Sequence, residues 1–202
     1  MPKMGVYTKA DADADIAVHA ADLDAHMMDF LQLLRTGEYL GYPFHKGAVD
    51  WAMSANVLYA SPFYIARKLT VDRIAINVIT AGIAGTRGRL GIYNLDTNLY
   101  PGALIVDGGE VAVDAVAVVA ATINQALTKG IYFTALVSNG TPSIKTLYST
   151  WTAMGEFATD LVTVKGAWTV TFTYAALPNL FTAGGALTSH TPVILPRVKS
   201  LD

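Results

Sequence analysis

The sequence predicts a mostly β protein, an antiparallel jelly-roll-like sandwich preceded by a short N-terminal α-helix of the trimeric coiled-coil type. Three observations support this. Apolar residues near the start have heptad spacing, residues from about 56 onward alternate with a period of two, and Gly-, Asn- and Pro-rich turns separate these runs. We expect three parts: an attachment and oligomerisation helix (1–36), an aromatic connector (37–55) and a β domain (56–202).

The helix carries a seam of apolar residues that follow one another at alternating spacings of four and three: Ile16, Ala20, Leu23, Met27, Phe30 and Leu34. An a/d seam of this kind buries itself against partner helices. We expect the helix to run from about Asp13 to Arg35, with Gly37 as its C-cap. Since the seam spans less than three heptads, the β domains must supply most of the buried area of the predicted trimer.

The connector, residues 37–55, is rich in aromatic residues, glycine and proline. Free linkers are rarely so aromatic. We therefore expect an irregular segment that packs on the rest of the molecule.

Runs with two-residue periodicity predict half-buried strands. In residues 167–174, Val170, Phe172 and Tyr174 share one face and threonines occupy the other. The same alternation of apolar residues occurs in three further runs: 74–78, 90–92 and 131–137.

Turn-forming residues separate these strands in five segments: 81–88, 94–102, 107–110, 127–130 and 138–142. In the first segment and just after it, Gly82, Gly85, Gly88 and Gly91 recur every three residues. A phosphate-binding loop would need a following helix, whereas residues 89–94 have strand-like spacing. We expect these glycines to adopt positive φ in a strand connection.

The composition favours a protein with buried subunit contacts. Hydrophobic residues make up 52% of the chain and charged residues only 15%, against about a quarter charged in ordinary globular domains. A net charge of −2 with scattered basic residues argues against nucleic-acid binding. The first residues lack the apolar core of a secretory signal, and the longest apolar run contains Asp114, which argues against membrane insertion.

The sequence contains no recognisable catalytic or metal-binding motif. Cysteine is absent, the four histidines form no HExxH pattern, and neither a nucleophile elbow nor a clear carboxylate pair is present. We therefore predict no enzyme, no metal site and no cofactor. A polysaccharide depolymerase, which needs paired carboxylates, is the least favoured alternative.

One predicted loop has the composition of a sugar-binding site. Asn94, Asp96, Asn98 and Tyr100 combine polar side chains with an aromatic ring, as suits a ligand with hydroxyl groups around an apolar face. The alternative interpretation is a plain polar turn that ends at Pro101-Gly102.

Several motifs resemble the β domains of bacteriophage virion proteins, particularly tail fibres and receptor-binding proteins. Residues 59–109 contain a YxxPFxxxR entry, a DRIAINV strand, a Gly-rich turn, RLGIYN and a YPG turn before DGG. Residues 127–142 and 173–198 resemble that family's following strand and closing segment. The chain departs from the pattern at Lys129, where proline is common, and at Phe133, where tryptophan is common.

The resemblance covers roughly residues 56–198 and implies a trimeric jelly-roll protein located in the virion and assembled in the bacterial cytoplasm. The implied function is host attachment as a tail fibre or receptor-binding protein, with a host surface glycan as a candidate ligand. The N-terminal segment would contact other virion proteins. The alternative is a capsid decoration protein or head fibre with a purely structural role.

Overall fold

The computed structural model describes residues 9–21, 34–41, 48–148, 157–158, 164–182 and 185–201, and these residues are mostly in strands. The helix α1 spans Lys9–Ala21. The strands are β1 Val49–Ala52, β2 Val57–Ile65, β3 Leu69–Thr80, β4 Arg87–Leu95, β5 Pro101–Ala112, β6 Ala117–Leu127, β7 Gly130–Ser138, β8 Ser143–Tyr148, β9 Phe157–Ala158, β10 Val164–Lys165, β11 Ala167–Thr171, β12 Ala186–Thr188, β13 His190–Pro192 and β14 Leu195–Leu201.

The described strands form two six-stranded sheets and a short β9–β10 ribbon, and every pairing is antiparallel. In the first sheet the order is β1-β8-β3-β14, with β13 beside β8 and β6 beside β3. In the second sheet the order is β12-β11-β2-β7-β4-β5. The predicted mostly β, antiparallel class with one short helix is confirmed.

The largest hydrophobic cluster draws side chains from both sheets. Ile74, Ile76 and Val78 of β3 are at most 2% exposed and belong to the same cluster as Leu90 and Ile92 of β4. The predicted apolar faces of these two strands are therefore confirmed. Each such side chain removed from water contributes about 1.5–3 kcal/mol to folding, so the common cluster stabilises both sheets.

The second sheet is buried on both faces. In β7, Phe133, Ala135 and Val137 belong to a second hydrophobic cluster, whereas Leu136 belongs to the first, and all four are at most 1% exposed. The predicted apolar face is confirmed at Phe133, Ala135 and Val137, whereas Ile131, also predicted on this face, is 36% exposed. The other face of the strand is buried as well. The cause is a segment from elsewhere in the chain that covers the outer face of the sheet.

That segment, residues 172–182, is here called the strap. It follows β11 and places Leu177 and Phe181 in the second cluster. Asp107 on β5 accepts a hydrogen bond from the backbone N–H of Leu177 at 3.0 Å, and its carboxylate is also bound by Arg89 Nε at 2.8 and 2.9 Å. Tyr93 donates its hydroxyl to the carbonyl of Pro178 at 2.9 Å.

Asn56 fixes the beginning of the strap. This residue has a left-handed backbone, with φ of 58°, a conformation that asparagine tolerates better than most residues. Its backbone carbonyl accepts from Phe172 N, and its side-chain oxygen accepts from Tyr174 N, both at 2.9 Å. The strand predicted over residues 167–174 ends at Thr171. Its partner β2 begins at Val57, and Asn56, with its left-handed backbone, does not extend β2 further.

Two predictions about glycines need correction. Of the four regularly spaced glycines only Gly85 has positive φ, at +85°; Gly88 and Gly91 lie within β4. Residues 107–110, predicted as a turn, lie inside β5. There Leu90 pairs with Gly109 and Gly91 with Asp107, which leaves an extra residue in β5, and Gly109 has φ of +84°. The glycine pair thus forms a bulge.

The N-terminal helix is placed differently from the prediction. α1 begins at Lys9 rather than Asp13, and Leu34 and Arg35 have no helical structure. Leu34 is half-buried against the first cluster. Gly37 has a positive φ of +87°, but because Leu34 and Arg35 are not helical, the prediction that Gly37 caps this helix is wrong. In the described part of the chain no helix combines the length and apolarity needed to cross a membrane.

The predicted seam is described only in part. Ile16 on α1 is 66% exposed. Ala20 also lies in α1, but its side chain is not among those that the structure describes. Leu23, Met27 and Phe30 lie outside the described residues. Pairing of these side chains in an oligomer therefore stays a prediction.

The predicted connector takes part in the first sheet. The backbone carbonyl of Glu38 accepts a hydrogen bond from Val198 N at 2.9 Å, and Leu40 N donates to the carbonyl of Pro196 at 2.8 Å. This segment therefore runs along β14. Further on, β1 pairs with β8. The expected packing on the rest of the molecule is present, but β1 gives part of this segment regular structure.

Candidate ligand-binding pocket at the β4–β5 turn

The turn between β4 and β5 is built around Asp96. Its Oδ1 accepts hydrogen bonds from the backbone N–H groups of Asn98 and Tyr100, each at 2.8 Å, and its own N–H donates to the Tyr100 carbonyl at 2.9 Å. Leu99 within the turn has a left-handed backbone with φ of 64°. The carboxylate of Asp96 therefore serves first to fold the turn.

Asn94, near the end of β4, fixes the other side of the same turn. Its Oδ1 accepts from Ala103 N at 2.6 Å. A β-carbon on Gly102 would come within 2.5 Å of that oxygen, so the absence of a side chain at Gly102 allows this contact. None of the described residues accepts a hydrogen bond from the Asn94 Nδ2 amide, which leaves a donor for a ligand.

Tyr100 is anchored by an aromatic contact. Its ring centroid lies 4.4 Å from that of Trp168 on β11, with the planes inclined by 36°. This contact ties the turn to the second hydrophobic cluster, against which Tyr100 packs while remaining half-buried.

The strap supplies the opposite wall. Leu180 forms a β-bridge with Ala103, and Phe181 N donates to the Gly102 carbonyl at 3.0 Å. Phe181 is 6% exposed and lies edge-on to Tyr93 at 5.8 Å, whereas Leu180 is 68% exposed. Burial raises the pKa of Tyr93, so that its hydroxyl stays protonated and keeps its bond to the strap.

Between the turn and the strap lies an open pocket of about 440 Å³. Its lining residues come from both sides: Asn94, Leu95, Asp96, Thr97, Tyr100, Pro101, Gly102, Ala103, Leu180 and Phe181. The pocket therefore combines amide and carboxylate groups with aromatic and aliphatic surface. Such a mixture suits a ligand that presents both hydroxyl groups and an apolar face.

The structure brings together three of the four predicted ligand residues. Asn94, Asp96 and Tyr100 line the pocket, and Asn98 lies in the turn without lining it. The prediction missed Leu180 and Phe181, which lie far away in the sequence. The polar-turn interpretation describes part of what Asp96 does, since its carboxylate bonds to the backbone of the turn.

The histidines form no cluster in the described residues. His190 stacks on Trp51 with centroids 4.7 Å apart, and burial lowers its pKa. Within the described ranges, no three His, Asp or Glu side chains are arranged to hold a metal ion.

Comparison with family models, curated proteins and solved structures found no match.

Proposed function

We propose that this chain is a structural protein of a bacteriophage particle, a trimeric tail-fibre or receptor-binding protein that contributes to host attachment through loops of its β domain. The pocket at the β4–β5 turn carries this proposal, because predicted polar residues meet an apolar wall there. The motif resemblance over residues 56–198 supports the same class of protein.

The architecture that we infer is a jelly-roll-like sandwich. In support, the two antiparallel sheets share one hydrophobic cluster, as the facing sheets of a sandwich do. A sandwich gathers its loops at two ends, and a loop cluster on a rigid framework is a common location for binding sites.

We infer a homotrimer assembled through the N-terminal seam, which would also contact other virion proteins. The exposed Ile16 on α1 supports this, since a large apolar side chain on a helix surface favours a partner. Three equivalent pockets on one trimer would bind a repetitive surface with avidity even if each site is weak.

The ligand class that fits the pocket best is a glycan of the host surface. The Asn94 amide can donate to a sugar hydroxyl, and the rings of Tyr100 and Phe181 and the exposed Leu180 offer apolar contact. Binding a glycan in this way would need no catalytic residue, which agrees with the sequence-based prediction that the protein is not an enzyme.

A glycan array that contains bacterial surface polysaccharides tests this proposal with the full chain. The informative variant is Asn94→Asp, which keeps an oxygen for Ala103 N and removes the free amide donor. We expect about a tenfold loss of glycan affinity, the effect of one lost hydrogen bond to a ligand.

The matched control is Asn139→Asp, because Asn139 Oδ1 also accepts from a backbone N–H, that of Arg87 at 2.8 Å, in a different turn. This control should bind like the wild type. If no glycan binds, or if both variants bind equally well, the attachment proposal is wrong.

A capsid decoration protein or head fibre with a purely structural role is the second candidate. An apolar groove of about 260 Å³ on the first sheet favours it. Its lining includes Tyr39, Ala75, Val118 and Leu195 and exposes almost no polar surface. Electron microscopy of the particle separates the two candidates, since it locates the protein on the tail or on the capsid.

A further inference from the structure

We propose that β6 is a self-pairing edge: it binds β6 of a second copy of this chain in antiparallel orientation and joins the two first sheets into one continuous sheet. This contact is separate from the N-terminal seam and from the pocket. It does not depend on the proposed attachment function.

β6 is a long edge strand with one open side. It pairs with β3 from Val78 opposite Ala117 to Leu69 opposite Leu127, with a bulge where Ile123 and Asn124 both lie opposite Asp72, and it pairs with no other described strand. About half of the backbone N–H and C=O groups of an antiparallel edge strand point away from its neighbour. Over eleven residues, these groups form a ready template for another strand.

Other long edges of the two sheets are covered by the chain itself. The outer side of β14 is bonded by the segment around Glu38, and the first part of β5 is bridged by Leu180 of the strap. Natural proteins cover long edges in this way to prevent unwanted pairing. In the described structure β6 lacks such cover along its whole length, whereas β14 is covered and β5 is covered over its first part.

The residues of β6 carry only one of the usual protections against pairing, the bulge at Ile123 and Asn124. The strand AVVAATINQAL contains no charged residue and no proline, the two features that most often block an edge. The side chains on its outward face are exposed: Val118, Ala120, Thr122, Asn124 and Ala126. Val118 is 65% exposed and continues into the apolar groove of the first sheet.

A second copy is the partner that this surface fits. If Thr122 lies on the two-fold axis, the two copies of β6 overlap along their whole length, and inter-strand hydrogen bonds can form on both sides of the axis except at the bulge residues Ile123 and Asn124. In that register Thr122 faces its own counterpart and Val118 faces Ala126. Threonine pairs and small apolar pairs are favourable across strands, and no like charges meet.

Single-cysteine variants of the full chain test the contact and its register. The natural sequence has no cysteine, so any disulfide must join two copies. Across an antiparallel pair opposite Cα atoms lie about 4.5–5.5 Å apart, within the reach of a disulfide. Thr122→Cys should therefore form a covalent dimer under mild oxidation.

Two further variants are the controls. Ala126→Cys lies on the same face of β6, but its counterpart in this register is about 26 Å away. Thr141→Cys is exposed in the β7–β8 turn. Both should remain uncrosslinked. Any result in which Thr122→Cys does not crosslink more efficiently than both controls overturns the proposal.

Charge variants test the same contact without covalent chemistry. Thr122→Lys and Thr122→Asp each place like charges together at the two-fold axis, and we expect each to halve the sedimenting mass relative to wild type. Mixing the two should restore it, because lysine then faces aspartate. Thr141→Lys should keep the wild-type mass, and circular dichroism of each variant checks that the fold is intact. An unchanged mass for folded Thr122→Lys, or no restoration on mixing, also overturns the proposal.

Discussion

Leu177 of the strap occupies the space that a β-carbon on Gly91 would fill. A β-carbon built on Gly91 would lie 2.3 Å from Leu177 Cδ1 and 2.8 Å from the Val106 carbonyl oxygen. The glycine in β4 is therefore needed for close packing rather than for an unusual backbone angle. This contact brings the strap against the outer face of the second sheet, next to the wall of the candidate pocket.

Gly91→Ala should destabilise the fold. The new methyl group must displace Leu177 and approach a backbone oxygen, and overpacking of this kind costs about 1–3 kcal/mol. Urea denaturation measures the loss. The control is Gly41→Ala, since no atom of the described residues lies within 4 Å of a β-carbon there, and its free energy of unfolding should stay within about 0.5 kcal/mol of wild type. Equal stability of the two variants would contradict the packing argument.

Asp107→Asn should loosen the strap. Asp107 accepts from Arg89, from Gly109 N and from Leu177 N, and its side chain is 20% exposed. The amide offers one acceptor oxygen instead of two, so we expect a loss of about 1–3 kcal/mol in the free energy of unfolding.

The comparison for this variant is Asp50→Asn, which breaks the Asp50–Lys145 ion pair of 2.6 Å, where the Asp50 side chain is 51% exposed. Exposed pairs contribute about 0–1 kcal/mol. Urea denaturation of both variants measures the difference, and a larger loss for Asp50→Asn would show that Asp107 does not hold the strap.

Acid should weaken the fold partly through Asp72. The hydrogen bond from Arg197 Nε, at 2.9 Å, holds the pKa of Asp72 below its ordinary value of 3.8. The unfolded chain therefore takes up the proton first as pH falls. The stabilisation is present above pH 3.8 and is lost as pH falls through the lower folded-state value.

Asp72→Asn removes this contribution, so the free energy of unfolding should fall less steeply with acid than in wild type. Arg197→Gln removes the cause of the lowered pKa and should give the same flattening. Urea denaturation over a series of acidic pH values measures both slopes. Wild-type slopes in both variants would refute the role of this pair.

Alkali should weaken the fold partly through Tyr174. Burial, and a hydrogen bond of 3.0 Å to Glu110, raise the pKa of Tyr174 from 10 to about 12. The unfolded chain therefore loses the proton first as pH rises. The stabilisation is present below pH 10 and is lost between pH 10 and about 12.

Tyr174→Phe should reduce this alkaline loss of stability, and Glu110→Gln should reduce it less, because burial is the larger cause. Absorbance titration of tyrosinate, together with urea denaturation at each pH, measures both effects. An alkaline loss in Tyr174→Phe as large as in wild type would contradict the assignment.

Local sequence was sufficient to predict β3 and the near wall of the pocket. Ile74, Ile76 and Val78 alternate within one strand, and such periodicity depends only on neighbours in the chain. Likewise Asn94, Asp96 and Tyr100 lie within seven residues. Their grouping at one turn needed no long-range information.

The strap and the bulge could not be predicted in the same way. Leu177 bonds to Asp107, seventy residues earlier, and sequence periodicity carries no signal for such a pair. For this reason the far wall, Leu180 and Phe181, was missed. The sequence predicts a turn at Gly108-Gly109, because a left-handed glycine serves a turn and a bulge equally well.

The bonds that join Gly37 and Glu38 to Val198 also constrain how the chain is made. A ribosome makes residue 198 only after the 160 residues that separate it from residue 37. The edge of β14 therefore cannot close until all of these residues have been made. Long-range pairing of this kind slows folding, and the nascent chain must keep its unpaired strands from other molecules during that delay.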